Sequence, residues 1–327
     1  MSERVLLTGG TGLVGSSIAK ALVAAGRPLR ALVRSRARGQ QVLPAAVELV
    51  EGDVTDAPSL RRAVDGCAVV YHAAGLPEQW FADPSIFRRV NVEGTANMIA
   101  AAFAAGVTRF VYSSTIDIFA AAPGADYDES VIDPQPKGTY YERSKQEADR
   151  LVVQALERGL PAVFVHPSAV YGPAPAASPG LNDFIARILR GEIPMLLPGG
   201  MPVVYAPDLA AGHLLAEARA AVGARYILSE SYHSLVDIAR AVVAAAGRGR
   251  VPRVMPIGVA RAVSRVGELI SAVIRKPPLI PAGQLHFLQW QARPSSARAR
   301  RELGWTPTPF AAALPPTIAY VTSGART

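Results

Sequence analysis

The stretch Thr8-Gly9-Gly10-Thr11-Gly12-Leu13-Val14-Gly15 constrains this chain more than any other. It follows the apolar run Val5-Leu6-Leu7 and precedes a helical pattern over 13–25. Glycines at 9, 12 and 15 permit a tight turn, a close backbone approach to a pyrophosphate, and close packing of helix on sheet. A helix starting there aims unpaired N–H groups and a positive dipole end at the same spot. Three spaced glycines alone are weak evidence, and a turn with no ligand is the plain alternative. Their place between strand and helix gives the motif its weight. The expectation is a dinucleotide held by Gly9, Thr11, Gly12, Leu13 and Val14.

Further strands are read at Leu29–Val33, 47–50, Val69–His72, 109–112 and 162–165, with helical patterns over 58–65, 86–105 and 140–158. Such alternation predicts an α/β fold, a doubly wound parallel sheet with helices on both faces. After Pro167 the texture changes. Residues 172–202 are rich in Pro and Gly around one helical stretch, Leu181–Arg190; the alternation returns at 203–205, a helix from Asp208, and Arg225–Leu228. The division expected is a cofactor unit of 1–171 plus 203–229 and a smaller substrate unit of 172–202 plus 230–327.

Half of the 327 residues are hydrophobic and 18% are charged, which allows a large core and argues against disorder. The single cysteine, Cys67, rules out an internal disulfide and a cysteine-cluster metal site, and no metal is expected. No apolar run approaches the ~20 residues of a membrane span, and no charged-then-apolar leader precedes Arg4. A soluble, cytoplasmic protein is the expectation. The formal charge is +8, with arginines concentrated at 27–38 and 293–301. Neither stretch contains an aromatic, so no nucleic-acid partner is expected; an anionic cofactor and a solvated basic surface account for the charge.

The second strand ends at Leu32-Val33-Arg34, where a site preferring NAD usually carries a carboxylate for the ribose 2′-OH. Arg34, Arg36 and Arg38 stand there instead, with no acid before Glu48. A guanidinium fork suits a 2′-phosphate. NADP is therefore favoured over NAD through Arg34 and Arg38, a solvated surface being the alternative. Asp53 and Val54 are placed to hold the adenine, and the small residues Ala73, Ala74 and Gly75 let backbone pass close to the cofactor. His72 is read as structural.

In Thr139-Tyr140-Tyr141-Glu142-Arg143-Ser144-Lys145, Tyr141 and Lys145 stand four apart on a predicted helix and share a face. Tyr140 has Ser144 at the same spacing. A phenol with a pKa near 10 is a poor acid–base group at neutral pH. A neighbouring ammonium favours phenolate, so a Tyr-x-x-x-Lys pair is a coherent proton donor for carbonyl reduction. The hydroxyls of Ser113, Ser114 and Thr115 end the fifth strand, where a parallel sheet gathers its functional groups.

Taken together, these motifs resemble those of the extended short-chain dehydrogenases/reductases, in family order along nearly the whole chain. Further matches are Gly52-Asp53-Val54, Tyr71-His72-Ala73-Ala74, the 91–97 segment beginning Asn91-Val92-Glu93-Gly94, Pro167-Ser168-Ala169-Val170-Tyr171-Gly172-Pro173, Pro207-Asp208-Leu209-Ala210 and Glu302-Leu303-Gly304-Trp305. Within that superfamily the chain is most similar to the group of dihydroflavonol reductases, 3β-hydroxysteroid dehydrogenases and hopanoid-associated epimerase-like proteins, a similarity that includes Gln79-Trp80-Phe81. The resemblance implies a Rossmann domain with Tyr141 as the acid–base residue. Lys145 would hold the nicotinamide ribose, and Thr115 would polarise the substrate carbonyl, with Ser114 sharing that role. Ser113, Pro167, Ser168 and Val170 would line the cofactor. Trp80, Ser114, Thr115, Asp117, Tyr171 and Phe184 would meet the substrate. It also implies a homodimer through the helices 86–105 and 143–158.

The function expected is NADP(H)-dependent reduction of a ketone, or oxidation of the secondary alcohol, on a fairly apolar small molecule. A nucleotide-sugar epimerase or dehydratase retaining NAD is the alternative, with Arg187 and Arg190 available for a diphosphate. A non-catalytic nucleotide sensor is a third reading that the Tyr-x-x-x-Lys pair disfavours. The 259–274 segment reads as a helix with an apolar side interrupted by Arg261, Arg265 and Glu268 and followed by Arg275. Packing within the small domain is expected for it, ahead of capping an apolar pocket or touching a membrane surface.

Overall fold

The computed structural model of the chain describes residues 3–175 and 180–323. Seven parallel strands form the central sheet: β1 Val5–Thr8, β2 Leu29–Val33, β3 Glu48–Glu51, β4 Val69–His72, β5 Arg109–Ser113, β6 Ala162–Pro167 and β7 Arg225–Leu228. They lie in the order β7-β6-β5-β4-β1-β2-β3. The order reverses between β1 and β4, so the crevice of a doubly wound sheet opens beyond the carboxyl ends of those two strands. Burial on both faces explains why β1, β4 and β6 read as near-continuous apolar runs rather than alternating ones.

One face of the sheet carries the helices Leu13–Ala24 and Ala206–Arg219, packed on Leu7, Val69, Val111 and Val163. The other carries Ala57–Val64, Gly94–Ala105 and Tyr140–Glu157, packed on Leu6, Val70, Phe110 and Phe164. Trp305 is fully buried on the first face and donates its indole N–H to the Asp208 carbonyl at 2.8 Å. The Asp208 carboxylate accepts from the amide and hydroxyl of Thr308. Two sequence motifs nearly a hundred residues apart thus form one clasp that ties the end of the chain to the cofactor unit.

A smaller three-stranded sheet joins Ala169–Tyr171, Gly200–Tyr205 and Ser231–Ser234. The 203–205 segment, assigned from the sequence to the cofactor unit, pairs here with both 169–171 and 231–234. Only with Ala206–Arg219 does the chain return to the central sheet. A third core gathers around this small sheet from Leu181, Ile185, Leu235, Ile238, Phe310 and Leu314. Among the described residues no helix is long and apolar enough to cross a membrane.

Candidate active site

The glycine loop and the carboxyl end of β4 form one wall of the crevice. Gly9 has φ 74°, and a Cβ there would lie 2.5 Å from the Ala73 carbonyl oxygen, so no other residue fits. Gly12 differs. Its φ is −90°, and a Cβ would meet nothing closer than the Gly9 carbonyl at 3.5 Å, an ordinary contact. Nothing in the protein requires glycine at 12, whereas a phosphate lying on the backbone would. No side chain caps the Leu13–Ala24 helix and no acid occupies its first turn, which leaves its positive end to an anion. The loop of Gly9, Thr11, Gly12, Leu13 and Val14 therefore fits the pyrophosphate of a dinucleotide.

His72 fixes the end of β4. Its Nδ1 pairs with the Thr8 hydroxyl at 2.8 Å and its Nε2 with the Thr95 hydroxyl at 3.0 Å. Burial pushes its pKa down to about 3, and Lys145 adds to the effect. The ring is neutral and structural. Gly75, exposed at the rim, follows Ala73 and Ala74 along the same wall. Asp53 accepts from the Thr55 amide and hydroxyl at 2.8 Å each, the bond pattern of an aspartate turn, and Val54 is buried beside Gly94. Arg34 is exposed, Arg38 is half-buried, and neither forms an ion pair among the described residues. A short helix not expected from the sequence, Arg36–Val42, begins here under the cap of the Ser35 hydroxyl.

The opposite wall is the first turn of Tyr140–Glu157. A capping box fixes it: the Thr139 hydroxyl accepts from the Glu142 amide at 3.1 Å, and Glu142 Oε2 accepts from the Thr139 amide at 2.8 Å. Thr139 also donates to Glu78 at 2.7 Å, tying the segment before Trp80 to this turn. Phe81 meets Phe87 edge-on with ring centres 5.2 Å apart, and Phe87 meets Tyr141 at 6.2 Å. The half-buried Trp80 sits in that segment. Asn91 links three elements: its Oδ1 accepts from the Leu76 amide at 2.7 Å and its Nδ2 donates to the Ser144 hydroxyl at 2.9 Å. Ser144 donates on to the Tyr141 carbonyl at 2.7 Å. Asn91 lies in a π-helical turn, Arg88–Glu93, a distortion common at functional sites. Its place in a matched motif was visible in the sequence, but its link to the Tyr141 turn was not.

Tyr141 is half-buried against Phe87, whereas Tyr140 is 59% exposed with the Arg143 guanidinium over its ring. Lys145 is buried and donates to the Ser113 carbonyl at 2.9 Å. Burial lowers its pKa to about 8, against the pull of Asp149 and Asp117. For Tyr141 the electrostatic expectation is reversed in the protein alone. Burial, then the Asp117 carboxylate, raises the phenol above its ordinary value, with the Thr115 hydroxyl pulling the other way. The phenol stays protonated at neutral pH, the state a proton donor needs.

Thr115 donates to Asp117 Oδ2 at 2.7 Å. Asp117 is buried, its Oδ1 has no hydrogen-bond partner among the described residues, and burial with the nearby Glu142 carboxylate lifts its pKa to about 7. The carboxyl group and the phenol thus both engage the Thr115 hydroxyl.

Several residues expected at the site lie elsewhere. Ser114 donates to Asp149 at 2.9 Å, and Asp149 is held by Arg225 at 2.7 Å, so its hydroxyl is committed beneath the sheet rather than to a substrate. The Ser113 hydroxyl pairs with His213 at 2.9 Å, and its carbonyl, not its side chain, is what holds Lys145. Tyr171 is fully buried in the small core, with ring centres 5.3 Å from Phe310 and 5.7 Å from Tyr205, and Phe184 packs on the same cluster. Strand alternation puts Tyr171 on the small sheet's inner face, a direction the motif alone did not reveal. Pro167 ends β6, Val170 packs on the first-face core, and the buried Ser168 hydroxyl has no partner among the described residues.

The model of the NAD dependent epimerase/dehydratase family matches residues 5–228. The chain belongs to that family. It is 31% identical over 318 residues, covering 92% of this chain and 91% of the other, to the 4-hydroxy-2-methyl-3-oxo-4-farnesyl-3,4-dihydroquinoline-1-oxide ketoreductase of Stigmatella aurantiaca. It is 29% identical over 93% of its length, and 86% of the relative's, to a 3 beta-hydroxysteroid dehydrogenase/Delta 5→4-isomerase of Mycobacterium tuberculosis. Among solved structures it superposes on the UDP-glucose 4-epimerase of Thermus thermophilus in complex with NAD, with a TM-score of 0.76, 25% identity, and 98% and 99% of the two chains covered. The family member is thus an oxidoreductase-type enzyme acting on hydroxyl or keto groups with a pyridine nucleotide.

Proposed function

We propose that this enzyme transfers hydride between NADP(H) and a ketone or secondary alcohol of an apolar small molecule, with Tyr141 donating the proton in reduction. The observation that carries the reading is the protonated Tyr141 phenol beside the Thr115 hydroxyl, on a capped helix whose Lys145 is anchored to the end of β5. The bound nicotinamide supplies or accepts the hydride. Lys145 holds the ribose, Thr115 turns its hydroxyl from Asp117 to the carbonyl oxygen, and Tyr141 gives that oxygen its proton as negative charge develops on it. Phe81, backed by the buried Phe87, supplies apolar surface on the substrate side, and Trp80 extends it. Arg34 and Arg38, unpaired at the end of β2, select the 2′-phosphate. A homodimer through the helices 86–105 and 143–158 belongs to the same reading.

A nucleotide-sugar epimerase is the competing reading, supported by the structural likeness to the Thermus enzyme. The basic residues offered for its diphosphate are already engaged: Arg187 lies 3.8 Å from Asp183, and Arg190 pairs with Glu192 at 2.5 Å. A panel of cyclic and aliphatic ketones against UDP- and GDP-sugars, followed by NADPH loss and by product analysis, separates the two. Turnover confined to the sugars overturns the proposal. Fluorescence titration is expected to show tighter binding of NADPH than NADH, a preference that Arg34→Gln should erase. Equal affinities in the unaltered enzyme would remove the argument for NADP.

A further inference from the structure

The helix Ile257–Ile274 leaves most of its large apolar side chains in water. Toward the protein it presents Ala260, Ser264 and Ser271, all buried, with Ile257 and Val263 half-buried beside Ile280 and Leu285, while Val259, Val266, Leu269, Ile270 and Val273 face out. Leu269 is 73% exposed, Val273 83%, and Leu279 in the following turn 85%. A helix of a globular core shows the reverse, large apolar residues inward and polar ones outward. Of the thirteen exposed large apolar side chains among the described residues, eight lie between 254 and 279, so this is one patch and not scattered surface. An apolar groove of ≈ 520 Å³ runs along it between Val266, Ile270 and Ile274 on one side and Pro277 to Leu279 on the other.

The charge around the patch has one sign. Residues 248–276 carry seven arginines and lysines against a single acid, Glu268, and the whole chain has a formal charge of +8. Glu268 is turned to the next helix, where it accepts from the Ala282 amide at 2.9 Å. Arg261 and Arg265, one turn apart, flank the apolar face, and Arg275 and Lys276 close its end. None of the seven forms an ion pair with the described residues. A second copy of this face would set basic rim against basic rim. An anionic surface with an apolar interior satisfies both halves of the pattern.

We propose that the Ile257–Ile274 helix and the Pro277–Leu279 turn dock in the interface of a membrane containing anionic lipid, with the aliphatic side chains among the acyl chains and the arginines at the headgroups. The three charges within the helix, and its failure to qualify as a span, put it on the membrane rather than through it. Its partner helix, Ala282–Trp290, reaches the first turn of Tyr140–Glu157, where His286 lies 3.8 Å from Glu142. The docked face therefore connects through one helix to the turn that carries Tyr141. The proposal does not depend on the identity of the substrate or cofactor.

The test is sedimentation of the full chain with vesicles of phosphatidylcholine alone or with about one third phosphatidylglycerol. The protein is expected to partition onto the anionic vesicles, and about tenfold less onto neutral ones or in about 0.5 M salt. Val266→Gln, Leu269→Gln and Val273→Gln together should cut partitioning about a hundredfold, and Arg261→Gln with Arg265→Gln about tenfold. Because all five side chains are exposed, both variants should keep the melting temperature and cofactor affinity of the unaltered chain. Failure of the unaltered chain to sediment with anionic vesicles would overturn the proposal. So would equal partitioning by the triple glutamine variant, or a drop from dimer to monomer in that variant's light scattering without any change on vesicles.

Discussion

The molecule contains two eighteen-residue helices, Tyr140–Glu157 and Ile257–Ile274, that handle polarity in opposite ways. The first buries Ser144, Lys145, Gln146 and Asp149, and each of these has a named partner: the Tyr141 carbonyl, the Ser113 carbonyl, the 133 and 135 carbonyls, and Arg225. The second buries Ala260, Ser264 and Ser271, half-buries Ile257 and Val263, and leaves its other large aliphatics outside. Buried polar groups are costly unless paired, so the first helix can sit in one register only. The second contributes little to the core, and its sequence answers to something beyond the fold. Helix length and overall hydrophobicity do not distinguish these cases; the partners of each side chain do.

The sharpest way to break this contrast is at Tyr141. Tyr141→Phe should lower turnover by about 10³-fold or more while leaving cofactor affinity unchanged, as read by steady-state kinetics and fluorescence titration. Next comes Asp149→Ala, which strands the Arg225 guanidinium beneath the sheet and should cost about 3–5 kcal/mol in urea unfolding. A loss below about 1 kcal/mol would show that the buried polar row does not fix the first helix.

Asp117→Asn probes the same wall through pH. The carboxyl has a folded pKa of about 7, above its ordinary value of 3.8. The folded state therefore holds this proton over that window, and the stability it contributes falls as pH rises from about 4 to about 7. Buried neutral His72, His166 and His213, whose pKa values are lowered to about 3, 3 and 4, act in the opposite direction over part of the same range. They cancel when variant and parent are compared. The asparagine variant should thus gain on its parent by about 4 kcal/mol between pH 4 and pH 8, measured by urea unfolding at each pH. The smallest effect completes the comparison: Val152→Ala in the first helix should cost about 1–3 kcal/mol, and Leu269→Gln in the second should stay within about 0.5 kcal/mol.

Much of the cofactor wall was legible in the chain. Strand, glycine loop and helix are local, and the demand at Gly9 for a left-handed turn is met by residue type alone. The helix face shared by Tyr141 and Lys145 was legible for the same reason, because a four-residue spacing fixes it. Ser114 and Tyr171 were not: adjacent residues on a strand point to opposite sides, and only the position of Asp149 and of the small sheet decides which side is the crevice. Asp117 stood in the motif with no sign that its carboxyl would be buried with one oxygen unpaired.

The 259–274 segment shows the limit most clearly. Its sequence determined a helix with an apolar side, and packing within the small domain was the natural expectation. The tertiary structure decided which side packs. Ala260, Ser264 and Ser271 let the helix approach its neighbours closely, and the aliphatic side was left facing out. By itself the sequence determined what is set within a few residues: the elements, the glycine loop and the helix face that Tyr141 and Lys145 share. Which hydroxyl meets the phenol, which serine is tied down elsewhere and which helix face stays uncovered depend on contacts between distant segments, and only the folded chain brings those together.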